Sequence, residues 1–188
     1  MLKLSDMYEQ AATLTVPIVA AVRDDQLADP TPCTEFTVRD LLGHLFAVVT
    51  EFEKSARGEP MDFGGTHDWL TGEWRTDFAT RVDALRHAWM AEDAMSHPST
   101  MLPREVAAQL PPFDLTIHGW DLARALDVPL VVPAELTEAV AALSETLAPM
   151  RGGSGMFAEA VPVPADASDF DRLLGSLGRD PEWSRTAR

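Results

Sequence analysis

The chain has 188 residues, 46% of them hydrophobic, which is enough for one folded domain with a sizeable core. Its 30 acidic residues outnumber 15 basic ones, for a net charge of -15, and Lys3 and Lys54 are the only lysines. That balance excludes a nucleic-acid partner, whose phosphates need a basic surface, and disfavours an anionic membrane surface for the same reason.

Cys33 is the only cysteine, so no internal disulfide can form, and a reducing compartment fits. The N-terminal residues lack the uninterrupted apolar run of a signal peptide. No segment approaches the ~20 apolar residues of a membrane span. The expected location is the cytoplasm.

Five helical segments are predicted, followed by a short one. The first covers residues 6–23, with Ser5 as a candidate N-cap and Met7, Leu14, Ile18 and Ala21 at helical spacing. Pro17 is expected to bend or break it. A loop with Pro30 and Pro32 follows. Thr37 and Asp40 then resemble a capping box, with Asp in place of Glu, ahead of an apolar stripe from Leu41 to Phe52. A third helix over 71–91 places Trp74, Phe78, Val82, Leu85 and Trp89 on one face. A fourth starts near Pro103, and Pro111-Pro112 predicts an interruption, with a second piece over 113–126. A fifth runs from Pro133 towards Pro149. Residues 151–155 read as a flexible loop, 169–177 as a short helix, and the residues after Trp183 as a fraying end. Strand signals are nearly absent, so an all-α bundle over 1–150 with a short irregular extension over 151–188 is the expected architecture.

His44 lies inside the apolar second helix. Asp114 and His118 are four apart on the fourth helix and project from one face, with Asp121 nearly one turn further on. Two facing helices can thus offer two imidazoles and a carboxylate to one point, a donor set suited to a divalent metal. Each signal also has a plainer reading. A single His on an apolar face is often a satisfied core residue, and Asp-x-x-x-His is often only an i,i+4 contact. His67, His87 and His97 are rival ligands. Arg124 or Arg104 can hold a substrate carboxylate or serve as an ordinary helix-terminus charge. Cys33 reads as a half-buried loop cysteine with no activating cation in its sequence context. The tryptophans read as packing residues.

Three blocks carry a resemblance. Residues 31–45, from Thr31-Pro32-Cys33 through Thr37-Val38 and Asp40-Leu41 to His44, resemble the signature of actinobacterial DinB-like proteins. His118-Gly119-Trp120-Asp121-Leu122-Ala123-Arg124-Ala125 and Gly178-Arg179-Asp180-Pro181-Glu182-Trp183 resemble two further blocks of that group. Its branch is related to the metal-binding N-terminal domain of mycothiol-dependent maleylpyruvate isomerase. The resemblance implies a DinB-like up-down four-helix bundle with a three-ligand metal centre mapping to His44, Asp114 and His118. Two imidazoles and a carboxylate suit zinc first, with nickel or iron as alternatives, and the resemblance implies mycothiol as the thiol cofactor. Asp121 is expected to orient a ligating imidazole. Two departures stand out: Asp114 replaces the usual Glu and is one methylene shorter, and Phe36 replaces a Trp. The isomerase also carries a further C-terminal domain, for which residues 150–188 are too few. The expected function is thiol transfer or isomerisation on a small electrophile. The alternative is a module that binds metal or ligand without turnover.

Overall fold

Thr37 starts the helix that carries His44. Its hydroxyl accepts from the Asp40 N–H, and the Asp40 carboxylate accepts from the Thr37 N–H at 3.0 Å, so the expected capping box is present. The computed structural model describes residues 2–65, 67–98, 102–148 and 158–185. Among the described residues there are six α-helices: α1 Leu4–Ala21, α2 Val38–Ala56, α3 Trp74–Trp89, α4 Arg104–Ala125, α5 Ala134–Leu147 and α6 Asp169–Ser176. Single 3-10 turns lie at Asp24–Gln26 and Ala94–Ser96. Among the described residues there is no strand, only an isolated bridge between Pro30 and Thr37. No described helix is long and apolar enough to cross a membrane.

The first four helices form an all-α bundle in which α1 packs on α3 and α4, and α2 packs on the same two. The helix α5 lies against α4 and α1, and α6 against α5. Leu41, Leu42, Leu45 and Phe46 of α2 meet Phe78, Leu85 and Trp89 of α3 and Leu115, Ile117 and Leu122 of α4 in one buried cluster. α4 has almost no polar face, because neighbours cover it on most sides.

Three sequence expectations need correction. α1 starts two residues earlier than expected, with Lys3 as N-cap; Ser5 lies inside the helix and its hydroxyl donates to Asp6. α3 starts at Trp74 because Gly72 has φ +57, a left-handed conformation that a helix cannot contain. Most consequentially, α4 is one continuous helix through Pro111 and Pro112. Pro112 has no N–H for the Ala108 carbonyl four residues back, but the buried Tyr8 hydroxyl donates to that carbonyl at 3.0 Å. Pro17 is likewise tolerated inside α1.

One turn along from the proline pair, Thr15 of α1 donates to the Leu115 carbonyl at 2.6 Å. α1 comes so close here that a Cβ on Gly119 would collide with the Thr15 hydroxyl. Gly119 therefore allows the crossing that fixes the stretch of α4 on either side of it, where Asp114, His118 and Asp121 sit. The loop expected at 151–155 lies outside the described residues. Arg185 pairs with Asp29 at 2.7 Å, and residues 186–188, expected to fray, also lie outside the described residues.

Candidate metal site

His44 on α2 and His118 on α4 meet edge to face, with ring centroids 4.8 Å apart. Asp114 joins them: the ligand atoms of His44, Asp114 and His118 all lie within 4.8 Å of one another. The structure thus brings together the three residues singled out from the sequence. Asp121, placed beside them, accepts a hydrogen bond from His118 Nδ1 at 2.9 Å. With Nδ1 so engaged, Nε2 is the nitrogen that His118 has left to offer. His44 Nε2 is buried and has no hydrogen-bond partner among the described residues.

The electrostatics favour a neutral imidazole at His44. Burial, then the neighbouring His118 and Arg179, push its pKa down to about 3, against a smaller opposing pull from Asp121. Burial pushes the Asp114 carboxyl up, partly offset by His118 and Arg179. For Asp121 burial also acts upward, but Arg179 and the His118 hydrogen bond outweigh it and hold the carboxyl below its ordinary range.

Two residues given no role from the sequence belong to this site. Arg179 is 7% exposed and donates to Asp121 Oδ2 at 3.2 Å and to the Leu177 carbonyl at 2.9 Å. It arrives there through the C-cap of α6. Gly178 has φ +80, its N–H reaches the Gly175 carbonyl, and the Arg179 N–H reaches the Leu174 carbonyl, which together make a Schellman motif. The glycine before Arg179, just past the apolar Leu173, Leu174 and Leu177, was the available signal.

Cys33 is the other. Thr31 Oγ1 lies 3.0 Å from the Cys33 carbonyl and 2.8 Å from the Phe36 carbonyl, which folds this loop over the site. The Cys33 thiol comes within 4.8 Å of ligand atoms of His118 and Asp121, a second candidate ligand group sharing His118. The sequence showed no cation near Cys33, yet Arg179 stands close enough to pull its pKa down. Burial outweighs Arg179, and the net shift is upward.

Phe36 packs beside the His44 ring, centroids 5.8 Å apart, so the Trp-to-Phe departure falls on the wall of the site. The rival histidines lie elsewhere. His87 is exposed against the Asp83 carbonyl, His97 packs over Gly58, and His67 sits beside Trp69. Arg104 donates to carbonyls of Ser55, Ala56 and Ala94, tying the end of α2 to the 3-10 turn. Arg124 donates to the Pro181 carbonyl at 2.6 Å and so anchors the C-terminal block.

The cluster forms part of the wall of a cavity of about 650 Å³, whose other lining includes Val48, Phe52, Phe63, Leu110 and Phe113. The volume suits a small-molecule ligand.

No solved structure matches the chain. Two uncharacterised proteins of Mycobacterium tuberculosis, one from strain CDC 1551 / Oshkosh and one from strain ATCC 25618 / H37Rv, are similar to it. Each is 28% identical over 174 residues, covering 92% of this chain and 95% of the relative. The family model described as mycothiol maleylpyruvate isomerase N-terminal domain matches residues 8–123, a span that runs from α1 to the end of α4 and holds every candidate ligand. The chain therefore belongs to the mycothiol maleylpyruvate isomerase N-terminal domain family.

Proposed function

We propose that this chain is a cytoplasmic divalent-metal protein that uses His44, Asp114 and His118 as ligands and activates a low-molecular-weight thiol, mycothiol, for transfer to a small electrophile. The observation that carries the reading is the buried, unpartnered His44 Nε2 facing a second imidazole and a carboxylate. A buried polar atom without a partner costs free energy on the order of 1–3 kcal/mol, and a metal ligand bond offsets that. The donor set fits the group: two neutral nitrogens and one oxygen suit zinc first, with nickel or iron close behind. When bound, such an ion lowers the pKa of a coordinated thiol and acts as a Lewis acid.

The protein's own groups then have distinct tasks. Asp121 holds His118 in the tautomer that leaves Nε2 free, and Arg179 keeps Asp121 ionised. The apolar side chains of the cavity wall give the reacting partners a less polar surrounding than bulk water. The alternative favoured by Asp114, a shorter carboxylate than the family's usual Glu, is a module that binds metal or ligand without turnover.

The test is elemental analysis of untagged protein with a turnover assay using mycothiol and an electrophile such as a haloalkane. One zinc per chain in the wild type, and none in His44→Ala/His118→Ala, supports the metal reading. Thiol transfer that needs the metal supports the enzyme; full metal with no transfer across electrophile classes supports the binding module.

A further inference from the structure

The cavity beside the candidate ligands carries more information than its size. Beside the candidate ligands its wall includes the apolar side chains of Val48, Phe52, Met61, Leu110, Phe113 and Ile117. Phe63 stands at the same cavity half exposed, at 50%, with its ring 6.0 Å from that of Phe52. An exposed phenyl ring against a buried one marks where apolar surface is left for a ligand to cover.

The charges point the same way. Among the described residues lining the cavity, Arg179 is the one cation, and its guanidinium is engaged by Asp121 and the Leu177 carbonyl. The other lining charges are the carboxylates of Glu35 and Asp114. Arg104 and Arg124, the two arginines of α4, donate to backbone carbonyls of residues that do not line this cavity. Among the described residues, a ligand with two carboxylates would find no unengaged guanidinium on this wall, and Glu35 would face it with a charge of its own sign.

We infer that the substrate taken by this cavity is an uncharged molecule with an extended apolar body and one ligating atom, and not a small dicarboxylate. The ligating atom meets the His44, Asp114 and His118 end, and the apolar body lies along Phe52, Phe63, Leu110 and Phe113. The ligating end rests on the metal reading above; the apolar body rests on the cavity alone.

Two measurements separate these parts. Protein loaded with cobalt in place of zinc is titrated with 1-hexanethiol and with mercaptosuccinate, which share a thiol head and differ in body. The thiolate-to-cobalt absorption band reports binding. Hexanethiol is expected to bind at least about tenfold tighter, because each methylene buried adds to affinity. Phe63→Asp, at a half-exposed position outside the candidate ligands, is expected to lower hexanethiol affinity by about tenfold with cobalt stoichiometry unchanged. Equal or tighter binding of mercaptosuccinate overturns the inference. In the second arm, metal-free protein is titrated with the neutral apolar fluorophore prodan. Fluorescence enhancement that 1-hexanol reverses, and that Phe63→Asp abolishes, supports the apolar site even if cobalt is not taken up, in which case only the metal reading fails. Cobalt uptake without prodan or hexanethiol binding overturns the apolar site and leaves the metal reading standing.

Discussion

His118 donates from Nδ1 to Asp121 at 2.9 Å, and Asp121 in turn accepts from Arg179 at 3.2 Å. The chain of contacts sets which imidazole nitrogen is free, and it joins α4 to the segment after α6. If it orients a metal ligand, Asp121→Asn should leave the fold intact and weaken zinc binding by about 10- to 100-fold. Competition with a chromophoric chelator measures this. Unchanged affinity would mean that the pair is purely structural.

Two candidate ligand groups share His118, one adding His44 and Asp114, the other Cys33 and Asp121. The first is favoured because it offers two imidazole nitrogens, one of them the unpartnered His44 Nε2, whereas in the second Asp121 Oδ2 is engaged by His118 and Arg179 and only its Oδ1 lacks a partner among the described residues. Cys33→Ser should therefore retain stoichiometric zinc, whereas His44→Ala should lose it and Asp114→Ala should weaken it less. Elemental analysis of the three variants decides, and zinc lost only in Cys33→Ser would select the other group.

Tyr8 and Pro112 form a pair of the opposite kind, one that serves the fold. The Tyr8 hydroxyl supplies the donor that Pro112 withholds from the Ala108 carbonyl. Tyr8→Phe should cost about 1–3 kcal/mol in urea unfolding, because it orphans a buried carbonyl. Restoring a backbone N–H with Pro112→Ala should cost less in the Tyr8→Phe background than in the wild type. Additive effects in this double-mutant cycle would break the assigned link.

That pair also explains where sequence reading fell short. The stripes of α2 and α3 were legible because periodicity is a local property of the chain. The continuity of α4 was not, since the hydroxyl that makes Pro112 tolerable lies about a hundred positions away in sequence. The site divides along the same line. His44, Asp114 and His118 were legible from helical spacing and the quoted blocks, and Asp121 from its place a turn from His118. Arg179 and the surroundings of Cys33 were not, because Arg179 meets both only after α6 has docked. The Gly178-Arg179-Asp180 run was visible, but nothing local says that a Schellman turn will aim its arginine at α4.

Gly178 tests that last point. Its φ of +80 disfavours any Cβ, and a Cβ there would lie 2.8 Å from the Glu159 carbonyl. Gly178→Ala should cost about 1–2 kcal/mol from backbone conformation, with the contact adding to it. If the turn positions Arg179, zinc affinity should fall as well, as it should in Arg179→Leu, whose turn is untouched. A stability loss in Gly178→Ala with unchanged zinc affinity in both variants would detach the C-terminal turn from the site.

The depressed pKa of His44 makes a further prediction for metal-free protein. In the folded chain this imidazole resists protonation until about pH 3, chiefly through burial, against an ordinary value of 6.5. The unfolded chain therefore binds the proton more readily, and acidification favours unfolding. The His44 contribution is fully present above pH 6.5 and is lost as the pH falls from there towards 3, at up to ~1.4 kcal/mol per pH unit. The carboxyls complicate the lower part of that window. Asp121, held below its ordinary range, adds further acid loss, whereas Asp114, raised by burial, works against it. The clean interval is therefore pH 7 to 5, above the ordinary carboxylate range. Urea unfolding of chelator-treated protein across it should show stability falling with pH, and His44→Leu should give a flatter profile. Parallel profiles for the two proteins would show that His44 takes up a proton in the folded state as easily as in water.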